Sequence, residues 1–330
     1  MLDRRHLMLT GATAAAVLLA SGRRRVRAAT QKLRIGYILP AQSQLGAGAT
    51  VFADEVAKRT GGRITVQQFP DSALGGEVEM AKGLQLGSID LAFITGLGLP
   101  SVVPAAGVFN IPFLLKNTAH AYAVLDGAIG ESYRKVFAAK DLVMLAWGEN
   151  GLRQMTNAKR PIVTPDDLKG LKMRVPQSDV MLAAFKALGV DAAPLPFPQV
   201  FEALRSGTFD GEENPIATIV AAKFDQVQKF LTLSSHVYDP AVFLMSPDAY
   251  GDLTEDDKAS FLAAAKLGAA ASRRFAADAQ ATGVATLQKA GMAVQQDIDH
   301  AAFAAAMAGA NAAFEQQFGK ELIEQIRQAG

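Results

Sequence analysis

The alternation of strand-type and helix-type segments along the first hundred residues constrains the fold more than any other feature. Strands are indicated where apolar residues alternate or run together, and helices where they recur three or four positions apart. The predicted segments are, in order, a strand at 33–38, a helix around Phe52 and Val56, a strand around Ile64 and Val66, a helix at 78–86 and a strand at 89–94. Strands that alternate with helices at this spacing indicate right-handed crossovers on a parallel sheet, so the chain is predicted to be α/β.

The same pattern restarts after Gly151, which predicts a second α/β unit that continues to about Tyr238. Thr164-Pro165-Asp166-Asp167 has the composition of a capping box, with proline at the first helical position. The remaining segments of this unit are predicted as strands at 171–175 and 190–195 and helices at 178–188 and 198–206. We therefore expect two domains, the first formed by 29–150 with about 240–282 and the second by 151–239 with about 283–330.

A long helix is predicted to begin after Thr254, in a second capping box, and to continue to about Lys289. Isolated glycines at 268 and 283 cost about 1 kcal/mol each in a helix and need not end it. At 1.5 Å per residue the helix would be roughly 50 Å long, which exceeds one small domain and predicts that it lies across both. Other predicted segments are an irregular stretch at 97–115, helices at about 118–137, 299–318 and 321–328, and a strand at 142–147.

The amino terminus has the layout of a bacterial export signal. Arg4-Arg5 precedes an apolar segment at 7–20 that is shorter than the ~20 residues of a membrane span, and Ala28 ends a plausible cleavage site. The paired arginines resemble a twin-arginine signal, so we expect a periplasmic protein with its signal, 1–28, cleaved near Ala28. A retained membrane anchor is the alternative.

Composition excludes several classes of function. Without the six arginines and one aspartate of 1–28, the chain has 27 basic and 31 acidic residues, a net charge of about −4, so a nucleic-acid partner is not expected. There is no cysteine, which excludes disulfides, thiolate metal sites and cysteine nucleophiles. We predict no catalytic residue, no cofactor and no metal site.

The run Lys172-Met173-Arg174-Val175-Pro176 predicts a short strand that ends at Val175. Proline cannot donate to a strand ladder, and it holds the preceding residue in an extended conformation. Arg174 is therefore expected near the carboxyl end of a strand, where open α/β sheets present ligand-contacting groups. Its planar guanidinium can grip a carboxylate through two parallel hydrogen bonds.

Two further polar residues are predicted to meet Arg174 in one cleft and to hold an organic acid with it. Arg153 lies in the run Gly151 to Thr156, and Asn214 precedes Pro215. Each has an alternative role. Arg153 could form a structural salt bridge to an Asp or Glu across the hinge, and Asn214 could cap the following helix.

Three motifs follow one another in the middle of the chain: Gly151-Leu152-Arg153, then 164–176, then Asp210-Gly211-Glu212-Glu213-Asn214-Pro215. Together they resemble the substrate-binding proteins of tripartite ATP-independent periplasmic (TRAP) transporters. Segments at 74–75, 108–113 and 227–231 also resemble that family, so the resemblance covers essentially the whole mature chain. It implies a fold like the type II periplasmic binding proteins: two α/β domains, a hinge and a long bridging helix, closing on a carboxylate ligand.

The resemblance also implies roles for individual residues. Arg174 matches the arginine that forms a bidentate salt bridge with the ligand carboxylate, and Arg153 matches a second arginine near it. Asn214 matches an asparagine that reaches the same carboxylate, and Phe197 falls where members carry an aromatic residue that packs on the ligand or belongs to the core. Glu212 departs from the glutamine of many members and is expected to add negative charge near the mouth.

Other candidates rest on position alone. Thr95 is the polar residue of an apolar strand-end segment at 95–100, and this apolar character favours a compact mono- or dicarboxylate over a sugar acid. The remaining ligand-binding candidates are Gln44, Trp147 and His236, with Tyr37 as a further pocket residue. His120 and His300 are expected at the surface.

Three classes of function follow from these observations. The first is a solute-binding protein that delivers an organic acid to TRAP permease membrane subunits, acting as a monomer. The second is the ligand-binding component of a periplasmic sensing system, which would share fold and pocket. The third, an exported α/β hydrolase, is disfavoured because the sequence has no Gly-x-Ser-x-Gly motif and the three mature histidines lack ligand spacing.

Overall fold

A computed structural model describes residues 30–329, so the predicted export signal lies outside the described residues. Over these residues the chain forms nine strands and twelve α-helices. The strands are β1 (Gln31–Gly36), β2 (Ile64–Phe69), β3 (Leu91–Thr95), β4 (Val143–Asn157), β5 (Lys172–Val175), β6 (Asp191–Pro194), β7 (Gly211–Pro215), β8 (Phe230–Met245) and β9 (Ala293–Gln295).

The helices alternate with the strands over most of the chain, and after β8 they follow one another with only β9 between them. They are α1 (Gln44–Arg59), α2 (Glu77–Gln85), α3 (Thr118–Asp126), α4 (Ala128–Ala138), α5 (Asp179–Ala187), α6 (Val200–Arg205), α7 (Ile216–Ala221), α8 (Pro247–Gly251), α9 (Glu255–Lys289), α10 (His300–Met307), α11 (Asn311–Phe318) and α12 (Lys320–Gln328). The α/β prediction is confirmed.

One continuous sheet runs through the molecule in the order β2-β1-β3-β8-β4-β7-β5-β6, with β9 on β8. Its two halves are parallel, β1 with β2 and β3 on one side and β5 with β6 and β7 on the other. We call these the first and second halves. The long antiparallel pair β4 and β8 belongs to both, so the two halves are joined by crossing strands.

The crossing occurs where the register of β4 against β8 shifts, between Glu149 and Gly151. Gly151 has φ of +132°, a backbone conformation that side chains disfavour, and a Cβ there would lie 3.1 Å from Pro215 Cβ. The predicted strand at 142–147 was too short because Gly148 and Gly151 interrupt its apolar pattern. β8 and β9 were not predicted as strands.

Three hydrophobic clusters support the two halves. The first core packs α1 against β1, β3 and the adjoining ends of β4 and β8, and includes Leu45 and Phe52. The second core surrounds β5 and α5, and the third lies between α6, α7 and the end of α9, where it includes Ile219 and Leu287. The first core also includes Val180 and Ala184 of α5, so it extends into the second half.

The long helix α9 spans 35 residues and crosses both halves, as the sequence predicts. Its glycines lie where other helices come close. A Cβ on Gly268 would be 2.7 Å from the carbonyl oxygen of Gly48 in α1, and a Cβ on Gly283 would be 2.4 Å from Ile216 in α7. Glycine therefore permits close packing of α9 against a helix of each half.

Two predicted helices are interrupted. The segment predicted at 118–137 breaks into α3 and α4 at Gly127, whose backbone is extended. The segment predicted at 299–318 contains a 3₁₀ turn at Ala308–Ala310. His120 was expected at the surface but is buried, where Nε2 lies 2.8 Å from the Ile326 carbonyl oxygen and connects α3 to α12. His300 is exposed, as expected.

No helix between residues 30 and 329 combines the length and the apolar character that crossing a membrane would require.

Candidate functional site

A narrow cleft lies where the two halves of the sheet meet. The carboxyl ends of parallel strands from both halves face it, which is the edge where α/β sheets present ligand-contacting groups. Its lining residues come from both halves and from the crossing: Ile38, Leu39, Glu77, Thr95, Asn150, Arg153, Arg174, Pro176, Phe197, Asn214 and Thr218. The structure thus brings together Arg153, Arg174 and Asn214, and also Phe197 and Thr95.

Arg174 enters the cleft from β5, which ends before Pro176 as the sequence predicts. The side chain is 3% exposed, and Nε and Nη2 donate to the Leu195 carbonyl oxygen at 2.9 and 2.7 Å. Within residues 30–329 it forms no ion pair with a carboxylate. Burial lowers the pKa of Arg174 to about 10, because the charged form loses hydration and the charges of Glu213, Glu212 and Glu77 offset only part of that loss.

Arg153 lines the same cleft but is held by protein carboxylates. Nη2 donates to Glu213 Oε1 at 2.8 Å and to the Glu213 carbonyl oxygen, and Nη1 donates to Asp239 Oδ2 at 3.0 Å. The structural salt bridge considered as an alternative for Arg153 is therefore present. One Nη1 hydrogen is left over from these bonds, so Arg153 retains one donor.

The charges around Arg153 are coupled. Burial acts to lower the pKa of Arg153, but Glu213 and Asp239 outweigh it and raise that pKa above its ordinary value. Burial acts to raise the pKa of Glu213, yet Arg153 and a bond with His236 lower it. The pKa of Asp239 rises to about 6, mainly because it is buried. Arg153 and Glu213 are thus a mutually stabilised ion pair.

Asn214 lies near the carboxyl end of β7 and faces the cleft, with Nδ2 donating to Glu212 Oε2. The expectation that Glu212 adds charge near the mouth is wrong. Glu212 is fully buried beneath Asn214 and also accepts a bond from Thr156 Oγ1 at 2.7 Å. Burial raises the pKa of Glu212 to about 7, and its hydrogen bond with Asn214 orients that amide.

The first half contributes Thr95 and Glu77 to the cleft. Thr95 ends β3, and its backbone N–H donates to Glu77 Oε1 at 2.8 Å. Burial raises the pKa of Glu77 to about 7, and the bonds from Thr95 offset only part of this rise. Glu77 was not predicted from the sequence as a cleft residue. Its only signal was its place in the first turn of a helix that follows Gly75-Gly76.

Phe197 forms one wall of the cleft and also packs on Phe224 of the third core, with ring centroids 6.1 Å apart. The core role considered for Phe197 is therefore present, and its place in the lining is compatible with the predicted packing on a ligand. Gln44 stands behind the lining rather than in it. Its amide Nε2 donates to Asn150 Oδ1 at 2.7 Å and to Thr218 Oγ1 at 2.9 Å, and both of these residues line the cleft.

Three candidates lie outside the cleft, so their predicted ligand contacts have no geometric support. Trp147 is buried in the first core, where Nε1 donates to the Gly130 carbonyl oxygen. His236 is buried behind Glu213, with Nε2 3.2 Å from Glu213 Oε2. Tyr37 points to Gln68, and its OH lies 2.9 Å from Oε1 of that residue. An aromatic or imidazole residue near a crossing strand cannot be assigned to one face of the sheet from sequence alone.

Among residues 30–329, no group of three or more histidine, aspartate or glutamate side chains is arranged to hold a metal ion. The polar groups of the cleft are two arginines, one carboxyl with a raised pKa, and amide and hydroxyl groups. Such a set can bind an anion and orient its polar substituents.

Comparisons with known proteins agree with this geometry. The sequence matches the family described as bacterial extracellular solute-binding protein, family 7, over residues 35–317. A solute-binding protein of Verminephrobacter eiseniae is 47% identical over 302 residues, which cover 92% of this chain and 90% of that protein.

Solved structures are similar over nearly the whole described chain. A TRAP periplasmic solute-binding protein from Polaromonas sp. JS666, bound to D-erythronate, has 45% identity and a TM-score of 0.90, covering 91% of this chain and 99% of that one. One from Bordetella bronchiseptica, with density assigned to pantoate, has 45% identity and a TM-score of 0.89 over 91% of this chain and 99% of that one.

Proposed function

The chain belongs to the bacterial extracellular solute-binding protein family 7, the solute-binding proteins of TRAP transporters, and on this basis we propose that it captures a small hydroxylated monocarboxylate. The ligand carboxylate is held by Arg174, with Arg153 and Asn214 beside it. The cleft closes on the ligand, and the protein delivers it to TRAP permease membrane subunits.

One observation carries this proposal: Arg174 is a buried cation in a cleft without a carboxylate partner in the described chain. A buried charge is costly unless it is paired, and a ligand carboxylate supplies the pairing that Arg174 lacks. Arg153 has Glu213 and Asp239 instead. We therefore assign the principal grip to Arg174 and a secondary contact to Arg153.

Glu77 narrows the class of ligand. It lies in the first half of the cleft lining, whereas both arginines lie in the second half. A second ligand carboxylate directed at Glu77 would meet a like charge, but a hydroxyl would find a hydrogen-bonding partner. The D-erythronate and pantoate of the two similar structures are hydroxylated monocarboxylates, and this supports the same class. D-erythronate is itself a four-carbon sugar acid, so the proposed class includes sugar acids, which the apolar segment at 95–100 had disfavoured, and dicarboxylates are placed second.

Binding is proposed to act through closure. The two halves would be the moving domains, 29–150 with about 240–282 against 151–239 with about 283–330, and they rotate about the crossings near Asn150 and Tyr238. The cleft lining comes from both halves, so a ligand bridges them and favours the closed form. The proposed role involves no chemistry on the ligand, and the protein acts as a monomer.

The test combines calorimetry with small-angle scattering on the mature protein. We expect D-erythronate or pantoate to bind, the radius of gyration to fall on binding, the scattering mass to stay that of one chain, and the ligand to be recovered unchanged. The control is Arg205→Ala, which removes an exposed arginine of the second half whose partner is Glu202. Scattering curves that superimpose with and without a saturating ligand would contradict closure.

A further inference from the structure

A series of buried side chains joins Arg153 to both halves of the sheet. Its members are Gln44, Asn150, Thr218 and Asp239, and each is at most 2% exposed. Together with Arg153 they form an unbroken series of hydrogen bonds. Asn150 and Thr218 also line the cleft, so the series is in contact with the space in which the ligand is proposed to bind.

One end of the series crosses between the halves. Gln44 begins α1, and its neighbour Leu45 packs in the first core. Thr218 lies on α7, and its neighbour Ile219 packs in the third core. The 2.9 Å bond from Gln44 Nε2 to Thr218 Oγ1 therefore joins helices anchored in different cores. Such a bond can persist only while the two halves remain close together.

The other end of the series reaches Arg153 through Asp239. Asn150 Nδ2 and Arg153 Nη1 both donate to Asp239 Oδ2, at 2.8 and 3.0 Å. The backbone N–H of Leu97, just after β3, donates to Asp239 Oδ1 at 3.1 Å. Asp239 thus accepts one bond from Leu97 of the first half, one from Asn150 at the crossing and one from Arg153.

We propose that Gln44, Asn150, Thr218 and Asp239 form a closure latch, a set of positioning residues that make the hold on Arg153 depend on the approach of the two halves. The inference rests on the proposed function, because it assumes that ligand binding closes the cleft. Separation of the halves breaks the bonds of Gln44, which leaves Asn150 Oδ1 with only the 3.2 Å bond from Thr218 Oγ1 and weakens the support of Asp239 and Arg153. Ligand release and opening are then coupled.

A double-mutant cycle tests the latch. Gln44→Met and Thr218→Val keep the approximate side-chain size and remove the bond between the halves. Affinity for D-erythronate is measured by calorimetry, and the free energy of unfolding of the ligand-free protein by urea titration, for the wild type, both single variants and the double variant. We expect each single variant to weaken binding by about three- to ten-fold, mainly through faster dissociation. We expect the two effects on binding to be coupled.

The ligand-free measurement distinguishes a latch from a permanent structural bond. A latch predicts no coupling in the free energy of unfolding, because the proposal has the two halves apart, and this bond broken, in the ligand-free protein. Coupling in that free energy would overturn the latch. If the wild type binds neither D-erythronate nor pantoate, the proposed ligand class fails, but the ligand-free cycle still decides about the latch.

Matched controls exist elsewhere in the chain. Thr232→Val removes a buried bond to the Ile162 carbonyl oxygen within the second half, and it should leave affinity unchanged. Asp239→Asn should weaken binding by about ten-fold, whereas Asp257→Asn, at a buried carboxylate paired with Arg63 away from the cleft, should not. Equal loss of affinity in Asp239→Asn and Asp257→Asn would contradict the assignment of Asp239.

Discussion

Arg153 and Glu213 form a buried ion pair beside the cleft, with Arg153 Nη2 2.8 Å from Glu213 Oε1 and both side chains at most 2% exposed. Arg174 lines the same cleft, and its two described bonds go to one carbonyl oxygen. The two arginines therefore have different energetic roles. Arg153 is paired with carboxylates of the protein itself, whereas Arg174 has no carboxylate partner within residues 30–329 and is proposed to gain one from the ligand.

The first prediction concerns ligand affinity. Arg174→Ala should weaken binding of D-erythronate at least ~30-fold, because a charge-assisted bidentate pair contributes on the order of 2–3 kcal/mol. Arg174→Lys should not restore it, since an ammonium cannot reproduce the planar fork of donors. Titration calorimetry provides the measurement, with Arg205→Ala as the exposed control. Near-native affinity in Arg174→Lys would rule out the bidentate contact.

The second prediction concerns stability without ligand. Arg153→Ala leaves Glu213 and Asp239 buried without their cation, so the free energy of unfolding should fall by about 3 kcal/mol or more. Arg174→Ala removes an unpaired buried charge and should leave that free energy unchanged or raise it. Urea titration of the two variants checks this contrast. A larger loss of stability in Arg174→Ala than in Arg153→Ala would reverse the roles assigned here.

The third prediction follows from the raised pKa of Glu77, about 7 in the folded protein. Below that pH the carboxyl is protonated and neutral, and above it the ionised form repels a second ligand carboxylate. Affinity for succinate should therefore decrease as pH rises from 6 to 8, by roughly three- to ten-fold. D-erythronate, with a single carboxylate held at Arg174, should change less.

The control for this pH effect is Glu77→Gln, which keeps hydrogen bonding and removes the charge. Its succinate affinity should be higher than that of the wild type at pH 8 and nearly constant over this range. Calorimetry at pH 6 and pH 8 measures the succinate affinity of the wild type and of Glu77→Gln. The same pH slope in Glu77→Gln would mean that another group in the cleft is responsible.

The fourth prediction concerns the mature amino terminus. Arg4-Arg5, the short apolar segment and Ala28 indicate removal of 1–28 during export. Intact mass spectrometry of the protein recovered from the periplasm should give a chain that begins near Ala29. A mature chain that retains the segment at 7–20 would indicate a membrane anchor instead.

The sequence by itself determined the features that depend on neighbours along the chain. The crossover units, the capping box at Thr164, the N-cap at Thr254 and the strand end before Pro176 are local, because they follow from side-chain periodicity, capping groups and the missing N–H of proline. The 35-residue helix α9 was predictable for the same reason. Arg174 was therefore placed correctly at a strand end.

Only the tertiary structure decided which polar groups face one another. The partners of Arg153 lie 60 and 86 residues away, at Glu213 and Asp239, so no local pattern separates an ion pair from a free cation. The same is true of Glu77, which reaches the cleft through α2, and of Glu212, which is buried under Asn214. Charge pairing and burial depend on the crossing of β4 and β8, and that crossing brings distant segments together in a way the sequence periodicity does not encode.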